Sequence, residues 1–181
     1  MTTPRDQLLA TIRDQAIVRG RVTLSSGAEA DYYLDLRRIT LDGVAAPLVG
    51  AVLLDLVADL EFDAVGGLTM GADPVAAAML HTAASRGGRL DAFVVRKAEK
   101  AHGMQQRIEG PSISGRRVLV LEDTSTTGNS PLSAVQAARE AGAEVVAVAV
   151  IADRNSGAQE KVREQGLEYR AAFSMSDLGL D

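Results

Sequence analysis

The densest chemistry in the sequence lies in residues 118–130, VLVLEDTSTTGNS, where four aliphatic residues run straight into Glu122 and Asp123. Thr124, Ser125, Thr126, Thr127, Gly128, Asn129 and Ser130 follow directly. Adjacent carboxylates at the end of an apolar strand can accept hydrogen bonds from vicinal hydroxyls. A turn of small hydroxyl residues and glycine that opens a helix offers backbone N–H groups, hydroxyls and the helix dipole to a phosphate. A sugar phosphate satisfies both halves at once. No Gly-Lys-Ser/Thr follows Gly128, so this is not a Walker A loop.

Two further segments carry charge or phosphate chemistry. Residues 96–107 gather Arg96, Lys97, Lys100, His102 and Arg107 against Glu99 alone, a net +3 on a chain whose total is −5. A basic island on a long loop suits a lid that closes over a polyanionic leaving group. Residues 66–74, GGLTMGADP, place a glycine-containing turn between a strand and a helix, so backbone N–H groups can approach a second phosphate.

These segments need a scaffold, and the apolar pattern supplies one. Runs at 64–67, 92–95, 118–121 and 145–151 are continuous rather than alternating, which predicts strands covered on both faces, as in a parallel sheet. Helices are expected at 47–60, at 74–85 with Asp73 as N-cap, and at 132–141 after the Ser130-Pro131 start signal, ended by Gly142. Open parallel sheets bind ligands at the carboxyl ends of their strands, where Glu122 and Asp123 fall. The beginning of the chain differs: a capped helix over about 4–17 leads into a hairpin formed by 22–24, the Ser25-Ser26-Gly27 turn and 32–36. Residues 96–115 lack a sustained apolar period and read as a mobile surface loop.

The 181 residues fit one domain over 1–181, with a hood at about 18–40 and a core at about 41–181. Aromatic residues are only 3% and alanines number 29, so the core must be small aliphatics packed closely, as when helices lie on a sheet. The acidic balance, with a pI near 5.1, disfavours a nucleic-acid or membrane binder. Absence of cysteine removes thiolate sites and Cys nucleophiles, and two histidines make a zinc site improbable. Charges near the N-terminus and the lack of an 18-residue apolar run predict a cytoplasmic protein.

Taken together, the strand, acidic pair and Thr/Gly loop of residues 118–130 resemble the signature of type I phosphoribosyltransferases. The resemblance implies that Glu122 and Asp123 contact the ribose hydroxyls of phosphoribosyl pyrophosphate (PRPP), and that the loop 124–130 binds its phosphoribosyl part, with 126–130 holding the 5-phosphate. The first acidic position is often Asp in that family, and here it is Glu122. The spacing Arg96-Lys97-x-x-Lys100-x-His102-Gly resembles the catalytic loop of the orotate phosphoribosyltransferases, implying that these four residues bind pyrophosphate and help expel it. Lys100, His102 and Asp123 are then the expected catalytic residues, and the loop serves a neighbouring subunit's site, implying a homodimer. Leu68, Thr69, Met70, Gly71 and Ala72 resemble the pyrophosphate loop, which often contains a cis peptide. The Lys found near Gly71 in many relatives is absent here.

Residues 23–38 resemble the hood over orotate, with Tyr32 and Tyr33 near the pyrimidine and Ser25 where relatives often have Lys. Arg154, after Asp153, resembles the arginine that meets the orotate carboxylate, a bidentate task suited to a guanidinium, and Thr126 is expected beside orotate too. The implied fold is α/β, with a mainly parallel central sheet flanked by helices, a small N-terminal hood and a long mobile catalytic loop. The implied reaction joins orotate to PRPP, giving orotidine 5′-monophosphate and pyrophosphate in pyrimidine synthesis. Mg²⁺ is expected to be carried by PRPP near Glu122 and Asp123 without direct protein ligands. A purine phosphoribosyltransferase and a non-catalytic PRPP-sensing regulator of the same fold are the alternatives.

Overall fold

The computed structural model describes residues 2–23, 29–97 and 107–180. Helix α1 (Pro4–Thr11) starts with a reciprocal cap, in which the Asp6 N–H donates to Thr3 Oγ1 and the Thr3 N–H donates to Asp6 Oδ2, both at 3.1 Å. A single π turn (Ile12–Ala16) then delivers the chain into β1 (Ile17–Thr23), which pairs antiparallel with β2 (Glu29–Leu34). This is the expected hairpin, although its first strand begins at Ile17 rather than Val22 and the Ser25-Ser26-Gly27 turn lies outside the described residues. Its second strand ends at Leu34 rather than Leu36, because the Asp35 N–H turns back to the Ala16 carbonyl (2.9 Å) and the short helix α2 (Arg37–Thr40) begins.

The rest of the chain is α3 (Ala45–Leu56), β3 (Ala64–Leu68), α4 (Ala72–Ser85), β4 (Asp91–Val95), β5 (Ile108–Glu109), β6 (Arg117–Ser125), α5 (Asn129–Glu140), β7 (Glu144–Asp153), α6 (Ala158–Glu164), β8 (Glu168–Ser174) and α7 (Met175–Leu178). Strands β3, β4, β6 and β7 match the four apolar runs. The six-stranded sheet has the order β5-β4-β3-β6-β7-β8 and is parallel except for the β4/β5 pair. Along β6, Leu119 and Leu121 face the layer of α1, α3 and α4, whereas Val118 and Val120 face α5 and α6. Burial of both faces explains why the run is apolar without alternation.

The three expected helix starts lie two or three residues too late. Pro47, Pro74 and Pro131 each occupy the third helical position, in α3, α4 and α5 respectively. None of the first four N–H groups of a helix has an intrahelical acceptor, so proline is tolerated there as well as at the first position. Asp73 is therefore inside α4, and Gly71 occupies the N-cap position. The Asp73 carboxylate instead accepts from the Thr69 hydroxyl at 2.6 Å. Of the expected long loop, residues 107–115 include the short strand β5, and 98–106 lie outside the described residues. Among the described residues no helix is long and apolar enough to cross a membrane.

Candidate active site

Successive strands run outward from β3 to β4, after which the chain returns to place β6 on the other side of β3. The order thus reverses between β3 and β6, and the carboxyl ends of strands at such a point splay apart to leave a crevice. The 820 Å³ cleft lies here. Its walls come from the end of β2 and the start of α2, the turn after β3, the β6–α5 loop and the residues after β7.

Glu122 and Asp123 end the apolar part of β6 side by side. Glu122 is only 6% exposed. Burial, followed by the neighbouring Asp123 charge, pushes its pKa up to about 8. Glu122 therefore favours its protonated form near neutrality when no ligand is bound. The Thr124 N–H donates to Asp123 Oδ1 at 2.7 Å, fixing that carboxylate against the loop.

Beyond the pair, Ser125 and Gly128 are buried, while Thr126, Thr127, Asn129 and Ser130 stand exposed in the cleft. Gly128 adopts φ +77°, and a Cβ there would lie 3.2 Å from the Ala158 Cα. Both backbone and space therefore select glycine. No side chain caps α5, leaving the first-turn N–H groups of its N-terminus directed to the cleft.

Leu68, Thr69, Met70 and Gly71 form the wall contributed by β3, with a cis peptide between Thr69 and Met70. Ala72 is buried beneath this turn in the first turn of α4 and does not line the cleft. Lys97 lines the cleft, whereas Arg96 does not, its Nη1 lying 3.4 Å from Glu109. Arg107 anchors the far end of the basic segment by donating to the Arg96 carbonyl (3.2 Å) and to Ser133 Oγ (3.0 Å). Lys100 and His102 lie outside the described residues.

Across β6 from the glycine turn, Arg154 follows β7, and its N–H donates to the Ser125 carbonyl at 2.9 Å. Its guanidinium carbon lies 5.9 Å from the centroid of the Tyr32 ring. That separation is within cation–π range. The cleft thus unites the acidic pair, the hydroxyl loop, the glycine turn, Lys97, both tyrosines and Arg154. Sequence reasoning missed Asp35, Arg37 and Ser156, which also line it. The Asp35-x-Arg37 spacing directly after Tyr33 was the available signal: Arg37 Nε lies 3.0 Å from Asp35 Oδ1, and Nη2 donates to the Tyr33 hydroxyl at 3.1 Å.

A sheet reversal lined by an acidic pair, a hydroxyl loop and an uncapped helix N-terminus defines a phosphoribosyl-binding class. The phosphoribosyl transferase domain family matches residues 45–166, and the chain belongs to that family. Its fold is the type I phosphoribosyltransferase fold. The chain is 71% identical over 182 residues to the orotate phosphoribosyltransferase of Streptomyces coelicolor, covering 100% of both chains. Among solved structures, the Mycobacterium tuberculosis orotate phosphoribosyltransferase with Fe(III) dicitrate is 54% identical with a TM-score of 0.90, over 98% of this chain and 100% of that one. The same mycobacterial enzyme in complex with PRPP is similar at a TM-score of 0.87 and 49% identity, over 98% and 100%.

Proposed function

We infer that the chain is an orotate phosphoribosyltransferase, moving ribose 5-phosphate from PRPP to orotate N1 with release of pyrophosphate and formation of orotidine 5′-monophosphate. The observation that carries this reading is one cleft that joins sites for two unlike anions. Glu122, Asp123 and the open α5 N-terminus suit a sugar phosphate, and Arg154 over Tyr32 suits a flat ring bearing a carboxylate.

In this reading residues 124–130 bind the phosphoribosyl part, with the 5-phosphate on the loop N–H groups and the hydroxyls of Thr126, Thr127 and Ser130. Glu122 and Asp123 accept from the ribose hydroxyls. The turn at 68–72 offers pyrophosphate its backbone N–H groups other than that of Thr69, which donates to the Val95 carbonyl (2.8 Å), and Tyr32, Tyr33, Thr126 and Arg154 enclose orotate. Positive charge develops at the ribose C1 as the bond to pyrophosphate stretches, so the protein's task is to align the reactants and neutralise the departing anion. Arg96, Lys97, Lys100 and His102 belong to the basic segment that does the latter: Lys97 acts in the cleft of its own chain, the loop beyond it serves the site of a second subunit, and the homodimer is part of the proposal.

Among the described residues no group of three or more His, Cys, Asp or Glu side chains could hold a metal ion. Two adjacent carboxylates without a cage fit Mg²⁺ that arrives on the substrate and keeps its own waters. When bound, the ion neutralises phosphate oxygens, and Glu122 and Asp123 are the residues beside it. A cytoplasmic location accords with this role.

Incubating the protein with PRPP, Mg²⁺ and orotate while following orotate absorbance tests the reading. Loss of orotate absorbance is expected only when PRPP and the metal are both present. Turnover of hypoxanthine or guanine with orotate untouched would establish a purine enzyme instead. Tight PRPP binding without any turnover would indicate a regulator.

A further inference from the structure

The turn after β3 has no cation of its own: no Lys or Arg occurs between Gly66 and Pro74. Apart from Lys97, which lines the cleft just after the neighbouring β4, this turn has only backbone donors to offer an anion. The cleft nevertheless holds an arginine outside the sequence motifs. Arg37 begins α2, a helix that packs against α3 and α4, and α4 is the helix the turn leads into.

Two observations bring the Arg37 guanidinium near the turn. Its charge interacts with that of Asp123. A Cβ at Gly71 would lie only 2.9 Å from Asp123 Oδ1, so turn and carboxylate adjoin. The ends of β3 and β7 flank β6 on opposite sides. Ordinary strand spacing then sets the turn and Arg154 about 10 Å apart. Asp123, on the middle strand β6, lies between these two ends, and Arg37 also reaches the tyrosine pair through the Tyr33 hydroxyl.

The guanidinium is also oriented for binding. Asp35 holds Nε, the Tyr33 hydroxyl accepts from Nη2, and among the described residues Nη1 makes no hydrogen bond. The side chain is 44% exposed. An arginine steadied on one side with its outer edge free matches the geometry for forked donation to phosphate oxygens.

We propose that Arg37 binds the pyrophosphate moiety of PRPP from within its own subunit, supplying the cation that the turn at 68–72 lacks, with Asp35 and Tyr33 as its positioning residues. This rests on the reading that the cleft binds PRPP.

Calorimetry of the full chain with two probes, magnesium pyrophosphate and ribose 5-phosphate, separates the subsites. In Arg37→Gln, pyrophosphate should bind about tenfold to a hundredfold more weakly while ribose 5-phosphate changes by less than about twofold, as expected for losing a contact to a charged group. Pyrophosphate inhibition against PRPP should relax in the same proportion, the KM for orotate should change less than the KM for PRPP, and Arg37→Lys should fall between. Unchanged pyrophosphate affinity in Arg37→Gln would overturn the proposal. So would equal weakening of both probes, which is the mark of a displaced Asp123, or a rise confined to the KM for orotate. The variant's thermal midpoint verifies folding, and Arg37→Lys repeats the comparison with the charge retained. A wild-type chain that neither turns over orotate nor binds PRPP would defeat the underlying functional reading, a result distinct from active wild type with an indistinguishable Arg37→Gln.

Discussion

Gly71 and Glu122 are packed so closely that a Cβ on the glycine would fall 2.5 Å from Glu122 Oε1. The turn after β3 and the acidic pair of β6 are therefore in such close approach that only glycine fits between them.

Gly71→Ala should act first on PRPP. The added methyl must push Glu122 and Asp123 aside, and misplacement of about 1 Å can cost a hundredfold in rate. A fall of kcat/KM for PRPP of about tenfold or more is expected, with a stability loss of about 1–3 kcal/mol from overpacking. Steady-state kinetics beside urea denaturation checks both. Wild-type PRPP kinetics in a folded variant would contradict the coupling.

Glu122 should make the ligand-free protein less stable as pH rises. Its folded pKa of about 8 exceeds the ordinary value of 4.5, so the folded state retains a proton that the unfolded chain has lost. The stabilising contribution is complete below 4.5 and disappears as pH climbs through about 8. Thermal midpoints measured across that window without PRPP or metal should decline, and Glu122→Gln should flatten the decline. Parallel pH profiles for the two proteins would refute the assignment to Glu122.

Arg154→Gln should raise the KM for orotate by about tenfold to a hundredfold while leaving that for PRPP nearly unchanged, the cost of losing a charge-assisted contact. Arg154→Lys should recover little, since a point charge lacks the planar fork. Initial rates with each substrate varied in turn provide the measurement. An effect confined to PRPP would move Arg154 out of the orotate site.

Lys100 and Asp123 should complete a site from different subunits. Lys100→Ala and Asp123→Ala chains should each be nearly inactive, yet regain activity when mixed under subunit exchange. With about half the dimers mixed and one intact site in each, recovery of about one quarter of wild type follows from twofold symmetry. Verified heterodimers without recovered activity would assign Lys100 to its own subunit's site.

What the sequence disclosed was set by how local each signal is. The acidic pair, the hydroxyl loop and the glycine turn are contiguous, and each sits where an apolar strand stops, so strand ends and site residues could be located together. Arg37 was different, because its role depends on a turn that ends β2 at Leu34 and folds the next residues back beneath Tyr33. Strand β8 was hidden for another reason. Arg170 within it pairs with Asp59 and Glu168, giving the edge of the sheet a charged pattern instead of an apolar run. The short α6, from Ala158 to Glu164, buries only Ala158 and Val162, too few residues for a visible period.

The sheet order also bears on synthesis of the chain at the ribosome. Strand β3 pairs with β4 soon after both emerge, but its other neighbour, β6, begins at Arg117, nearly fifty residues after β3 ends. Until then one border of β3 has no partner, the condition under which nascent chains stick to one another. That border is short and weakly adhesive: β3 has five residues, two of them the adjacent glycines Gly66 and Gly67, which offer no side chains to a stray strand. The same glycines later admit Phe93 and Leu121 at close quarters, so a strand quiet enough to wait is closely enclosed on both sides once β6 arrives.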